Sequence, residues 1–256
     1  MQKPTIVITG NPPWRETVSE QLDTDFTVNH QPVFGNYITT LIESLAALVI
    51  VDSESSEWAT WTSTPKSSPA TRRIPVILVS DDADIRAQAS GQGADIALSR
   101  ADFTSQLLQI VKDNARLPDP AIIEQLECDC QEPLPELAQE GVRQFNAGEY
   151  YKQHDLFEEQ WMAVESPVRD LYRAVLQVGI AYFQIERGNY RGAIKMLQRS
   201  VQWLLILPDT CQGVDVKQLR EDSFKVRAEL ERLGEDRLDE LDRSLLKKVI
   251  YHSPQA

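Results

Sequence analysis

The segment HDLFEEQW carries an imidazole, a carboxylate and an indole in an i, i+4, i+7 series: His154, Glu158 and Trp161. On a helix that spacing puts all three on one stripe. An imidazole nitrogen and a carboxylate facing one ion would begin a divalent-metal site, with Glu158 a ligand or a general base. Buried together, the same pair is a polar fastener whose groups must all find partners. A third use is an open groove in which Trp161 meets a partner.

Two ligands are too few for zinc, which takes three protein ligands in catalytic sites and four in structural ones. The other histidines, His30 and His252, are not helpfully placed; Asp155, Glu159, Asp170 or Glu186 would have to complete an oxygen-rich site. The stripe also holds Tyr150, Tyr151 and Phe157. A polar pair amid aromatics favours the fastener, with Arg169, Tyr172, Arg173 and Gln177 on the next helix satisfying it. The expectation is thus a lock with no cofactor, a divalent metal on His154 and Glu158 being the alternative. No serine or cysteine pairs visibly with His154, and no phosphate loop is present.

Helices are expected at 135–147, 149–163, 167–187, 190–206, 215–233 and 236–250. The breaks are Asn146-Ala147-Gly148, Ser166-Pro167, Gly188-Asn189, Pro208 to Gly213, and Gly234. Short gaps between long helices make antiparallel neighbours. FNAGEYYKQHDLFEEQW and RDLYRAVLQVGIAYFQIERGNYRGAIKML resemble a small all-helical family of unknown function with the hallmark His-x-x-x-Glu-x-x-Trp. Some of its members are described as predicted metal-dependent hydrolases. The likeness covers about residues 137–207 and rests on Phe145, Asn146, Gly148, His154, Glu158, Trp161, Arg169, Asp170, Gln177, Gly188, Asn189, Gly192 and Leu197. It implies a helical bundle related in shape to tetratricopeptide repeats. In that family a His often precedes the Gly-Asn turn; here Gln184 stands there, a poor transition-metal ligand.

The first half alternates strand and helix signals. Strands are expected at 5–9, 26–33, 46–51, 74–79 and 94–98, and helices at 14–22, 36–45, 82–91 and 102–115. Residues 54–73, rich in Ser, Thr and Pro, read mainly as loop, with Trp58 and Trp61 packing part of it down. Five strands interleaved with helices make a parallel sheet covered on both sides. Ligands of such sheets bind beyond the carboxyl ends of the strands. Asp52, Ser80 and Arg100 stand at or just after three such ends.

ALVIVDS, IPVILVS and GADIALSR resemble the receiver domain of bacterial response regulators, over about 116 residues. The resemblance implies a flavodoxin-like fold with Asp52 as phosphate acceptor, Ser80 as its sensor and Arg100 in place of the family's Lys. Where receivers hold magnesium with an acidic pair, this chain reads Thr9-Gly10-Asn11-Pro12, and Ala101 replaces a proline. Magnesium favours carboxylates, so the half reads as a pseudo-receiver, its site vestigial. There Asp52 binds loop amides or Arg100, and Ser80, Asp81 or Asp82 caps a helix.

The stretch 117–134, with prolines at both ends and acidic residues between, is the expected linker between a receiver-like domain (1–116) and a helical domain (135–256). The chain of 256 residues has a net charge of −13, with −6 in residues 1–120 and −7 in the remainder. Neither half has the basic excess that nucleic acid or anionic membranes call for. No apolar run reaches membrane-spanning length, and MQKPTIVITG lacks a signal-peptide layout. Cys128, Cys130 and Cys211 make no disulfide framework and read as reduced thiols of a cytoplasmic protein. Together these point to an α/β unit followed by an all-α unit: a non-enzymatic regulatory or scaffold protein that docks protein partners. The alternatives are a metal-dependent hydrolase and a regulator phosphorylated at Asp52.

Overall fold

Unbroken β-branched and aliphatic runs make strands that are buried on both faces. In the computed structural model, which describes residues 3–117 and 119–252, five of them form a parallel sheet. They are β1 (Thr5–Thr9), β2 (Thr27–Gln31), β3 (Ala46–Asp52), β4 (Val76–Val79) and β5 (Ile96–Leu98), in the order β2-β1-β3-β4-β5. That order is flavodoxin-like. Alternate residues face opposite ways. Ile6, Ile8, Leu48 and Ile50 meet α1 (Arg15–Leu22), α5 (Arg100–Ser105) and α6 (Leu107–Asn114) through Val18, Leu22, Phe103 and Val111. Val7, Val49 and Val51 face α2 (Tyr37–Glu43) and α3 (Trp58–Ser67) through Tyr37, Leu41 and Trp61. α4 (Ala83–Gln88) precedes β5.

The loop expected over 54–73 contains α3. Trp61 packs edge-on against Tyr37 at 4.7 Å and Phe34 at 5.0 Å. Burying that indole outweighs the weak helix propensity of Ser and Thr around it. The helix expected over 102–115 is instead two, α5 and α6, parted at Gln106.

The chain divides after Leu117 into two compact units. The second holds α7 (Pro120–Asp129), α8 (Glu136–Asn146), α9 (Tyr150–Ala163), α10 (Arg169–Glu186), α11 (Tyr190–Leu204), a two-strand hairpin of β6 (Thr210–Cys211) and β7 (Val214–Asp215), and α12 (Val216–Leu233). The stretch 117–134 is therefore more than a connector. Asp119 caps α7 by accepting the Ala121 N–H at 2.9 Å, Pro120 opens it, and Leu126, Cys130 and Leu134 are buried in the helical core. Cys130 and Cys211 form a disulfide, which overturns the expectation of three reduced thiols; Cys128 is free and exposed. Spacing gave no hint of it, because the partners are 81 residues apart. Folding sets their Cα atoms 4.3 Å apart.

No α-helix forms over 236–250; Glu235–Glu240 and Arg243–Leu245 are short 3-10 helices. Asp242 accepts the Ser244 N–H and folds the chain into a short turn. The segment beyond then runs extended along the hairpin, with His252 N–H donating to Gly213 O at 2.8 Å. Asn146 holds it with both ends of its amide, donating to Val249 O at 2.9 Å and accepting the Val249 N–H at 2.7 Å. No described helix is long and apolar enough to cross a membrane.

Denatured without reductant, the protein should titrate with a thiol reagent as one free cysteine, Cys128. Three reactive thiols would remove the Cys130–Cys211 bond, and Cys211→Ser should lower stability by about 2–4 kcal/mol.

Candidate functional site

The inward face of α9 is fixed by two glycines on its neighbours. A Cβ on Gly141 of α8 would lie 2.7 Å from the Phe157 ring, and one on Gly179 of α10 would lie 2.4 Å from Gln153 Nε2. Gln153, Phe157 and Gln160 therefore occupy the buried stripe, and the wholly buried Gln153 donates to Leu176 O at 3.3 Å. His154, Glu158 and Trp161 each follow one of these by a residue, about 100° around the helix. They form a second stripe, half-buried at the margin of the helical layer.

This placement corrects the expected fastener. The His154 side chain is 29% exposed; its Nδ1 lies 3.0 Å from Asp155 Oδ1 and its ring stacks on Tyr151. Glu158 makes no hydrogen bond or ion pair with any described residue, so it bonds neither His154 nor Arg169 nor Gln177. Gln177 is buried with its Oε1 unpartnered. Tyr172 donates instead to Gln212 Oε1 at 2.8 Å, and burial pushes its phenol up to about 12.

The true tie between these helices is Trp161. The Arg173 guanidinium lies 4.5 Å from the Trp161 ring on α9 and 4.5 Å from the Trp203 ring on α11, with Arg169 5.2 Å from Trp161. One α10 cation thus spans three helices, and Asp170 Oδ1 accepts from it at 3.2 Å. Each desolvated cation–π contact is worth about 1–2 kcal/mol. The Nε1 atoms of Trp161 and Trp203, and the Nε of Arg169, are buried and donate to no described residue. Trp203 belongs to the site although no spacing links it to His-x-x-x-Glu-x-x-Trp. The available signal was its amphipathic position at the end of α11.

Among the described residues no group of three or more His, Cys, Asp or Glu side chains is placed to hold a metal ion. His154 Nδ1 is engaged by the carboxylate of the adjacent Asp155.

In the sheet unit, Asp52 ends β3 with 4% exposure and accepts the Glu54 N–H at 3.2 Å. Burial raises its pKa above the ordinary carboxylate value. The Glu54 N–H and Arg100 oppose that rise, while the Glu54 and Asp81 charges add to it. Arg100 is not its ion-pair partner. The guanidinium pairs with Glu54 and its Nε is 3.7 Å from Asp81 Oδ2, while the Arg100 backbone N–H donates to Asp81 Oδ1 at 2.9 Å. The more accessible carboxylates capture it, since a charge pair at the rim loses less hydration than one drawn inward. Ser80 Oγ accepts the Asp82 N–H at 3.2 Å, and Asp82 caps α4 through the Asp84 and Ile85 amides. Glu54 and Asp81 are thus site residues that the sequence reading passed over, although each stands within two residues of a strand end.

Arg173→Ala should destabilise the helical unit by about 2 kcal/mol, with shifted tryptophan emission. His154→Ala should stay within about 0.5 kcal/mol. Equal losses in urea unfolding would restore the polar fastener. Asp52→Asn should raise Tm at pH 7 by roughly 2–4 °C. A carboxylate whose folded pKa is raised penalises the fold fully above that pKa and not at all below its unfolded value. The gain should therefore fade as pH falls toward about 4; thermal melts across that range check the sign.

Residues 138–196 match the model of a family described as Domain of unknown function (DUF309). An uncharacterized protein of Aquifex aeolicus (strain VF5) is 23% identical over 86 residues, 33% of this chain and 26% of that relative. The matched portion thus spans about a quarter of that relative's length. The α8–α11 helices that build the Trp161–Arg173–Trp203 stack are, from Ala138 to Met196, similar to that family of unknown function.

Proposed function

We propose that this chain is a regulatory docking protein, a receiver-like sheet unit joined to a helical unit whose Trp161–Arg173–Trp203 face engages a protein partner. The observation that carries the reading is the half-buried stack itself, whose two buried indole N–H groups and Arg169 Nε have no acceptor among the described residues. Tryptophan and arginine at a partly desolvated site are the side chains that anchor protein interfaces. Tyr151 and Met162 on α9, and Ile206 just beyond α11, are exposed apolar groups on the elements that build the stack.

The sheet unit fits docking better than phosphoryl transfer. Phosphoryl transfer depends on metal charge and positioning. Thr9-Gly10-Asn11 supplies no carboxylate at the first strand end, and Arg100 is tied to Glu54 and Asp81. The strand order and the place of Asp52 support a receiver-like origin for this unit. We place its action in the cytoplasm, where burial of Cys130 and Cys211 limits attack by soluble thiols.

The test is quantitative co-purification with the intact tagged chain from extract of its source organism. A reproducible partner should be recovered with the unchanged chain. It should fall about tenfold or more with Trp161→Phe plus Trp203→Phe, which keep the ring but remove the N–H. Circular dichroism establishes that the variant folds. Equal recovery, or no reproducible partner, overturns the reading.

A further inference from the structure

Residues 169–204 hold six Lys+Arg against two Asp+Glu, in a chain whose net charge is −13. Positive charge is therefore concentrated on α10, α11 and the turn between them. Arg173 pairs with Asp170 and Arg191 with Glu235. Arg169, Arg187, Lys195 and Arg199 make no ion pair with any described residue.

The arrangement is regular. Arg191, Lys195 and Arg199 recur every four residues along α11, on a stripe that ends at Trp203. α10 packs against α11, with Arg173 at the Trp203 end and Arg187 across the turn from Arg191. Between those ends α10 carries Leu176, Ile180 and Phe183, half-buried and one helical turn apart. Arg187 lies 5.4 Å from the Phe183 ring, and Tyr151 of α9 meets the same ring at 5.9 Å.

Resting on the docking reading above, we propose that this face binds an acidic segment of a partner protein with apolar residues interspersed among its carboxylates. The carboxylates pair with Arg169, Lys195 and Arg199. The apolar side chains lie along Leu176, Ile180 and Phe183. Charge complementarity selects this partner over a polyanion. A nucleic acid or a charged membrane extends many Debye lengths and meets the repulsion of the whole chain, whereas a short segment feels only the local field.

The experiment is selection of a displayed library of random peptides on the intact chain, followed by binding of one synthesised winner. Enriched sequences should be net negative with aliphatic or aromatic residues between the acids, and binding should weaken as salt rises. Lys195→Glu plus Arg199→Glu should weaken the winner about tenfold or more, and Lys195→Gln plus Arg199→Gln by a smaller factor, with circular dichroism unchanged. Winners that are neutral or basic, yet lost on Trp161→Phe plus Trp203→Phe, overturn the acidic class and leave docking at this face standing. Winners indifferent to every one of these substitutions overturn both. Anionic vesicles or single-stranded DNA bound as tightly as the winner, with the same loss on charge reversal, overturn the peptide in favour of a polyanion.

Discussion

A guanidinium between two indoles satisfies three demands at once. It lets a cation lose part of its water without an anion on each side, because two π faces supply the negative potential. It fixes the lateral spacing of α9 and α11 about α10, because both rings are 4.5 Å from the same charge. It also sets both indoles at the margin of the layer, each half-buried. The close approach that makes the stack possible comes from Gly141 and Gly179, which admit Phe157 and Gln153 where a methyl would not fit. Backbone proximity on one side of α9 thereby creates an aromatic and basic face beside it.

The sheet unit solves an opposite problem. Its strand ends gather Asp52, Glu54 and Asp81, three carboxylates beside the Arg100 cation. Arg100 neutralises the outer two, and Asp52 is left to the Glu54 amide and to burial.

Much of the architecture was legible in the sequence because it rests on periodicity. The runs TIVIT, AALVIVD and VILV announce strands, and the 3.6-residue pattern of 135–206 announces the helical array with its Gly-Asn turn. What escaped depends on distance rather than pattern. Trp203 meets Arg173 thirty residues away, Cys130 meets Cys211 across 81, and Glu54 captures Arg100 across 46. The buried stripe of α9 lies one position before His154, at Gln153, Phe157 and Gln160. Tyr150, Phe157 and Trp161 are aromatic, but Trp161 is at the edge and Gln153 is inside. Hydrophobic periodicity does not anticipate a buried glutamine packed on a glycine. The break of 236–250 was decided by a single Asp-Ser turn, which competes locally with a helix of similar propensity.

The covalent bond between Cys130 and Cys211 also has a mechanical meaning. A pull entering the helical unit near residue 119 and leaving near residue 252 passes along α7 to Cys130, across the sulfurs to Cys211, and out through the hairpin and α12. The covalent chain from 131 to 210, which contains α8 to α11, lies outside that route and feels the pull only through hydrogen bonds such as those between Asn146 and Val249. Once those give way, stretching would lengthen the helical unit only by residues outside the 130–211 loop.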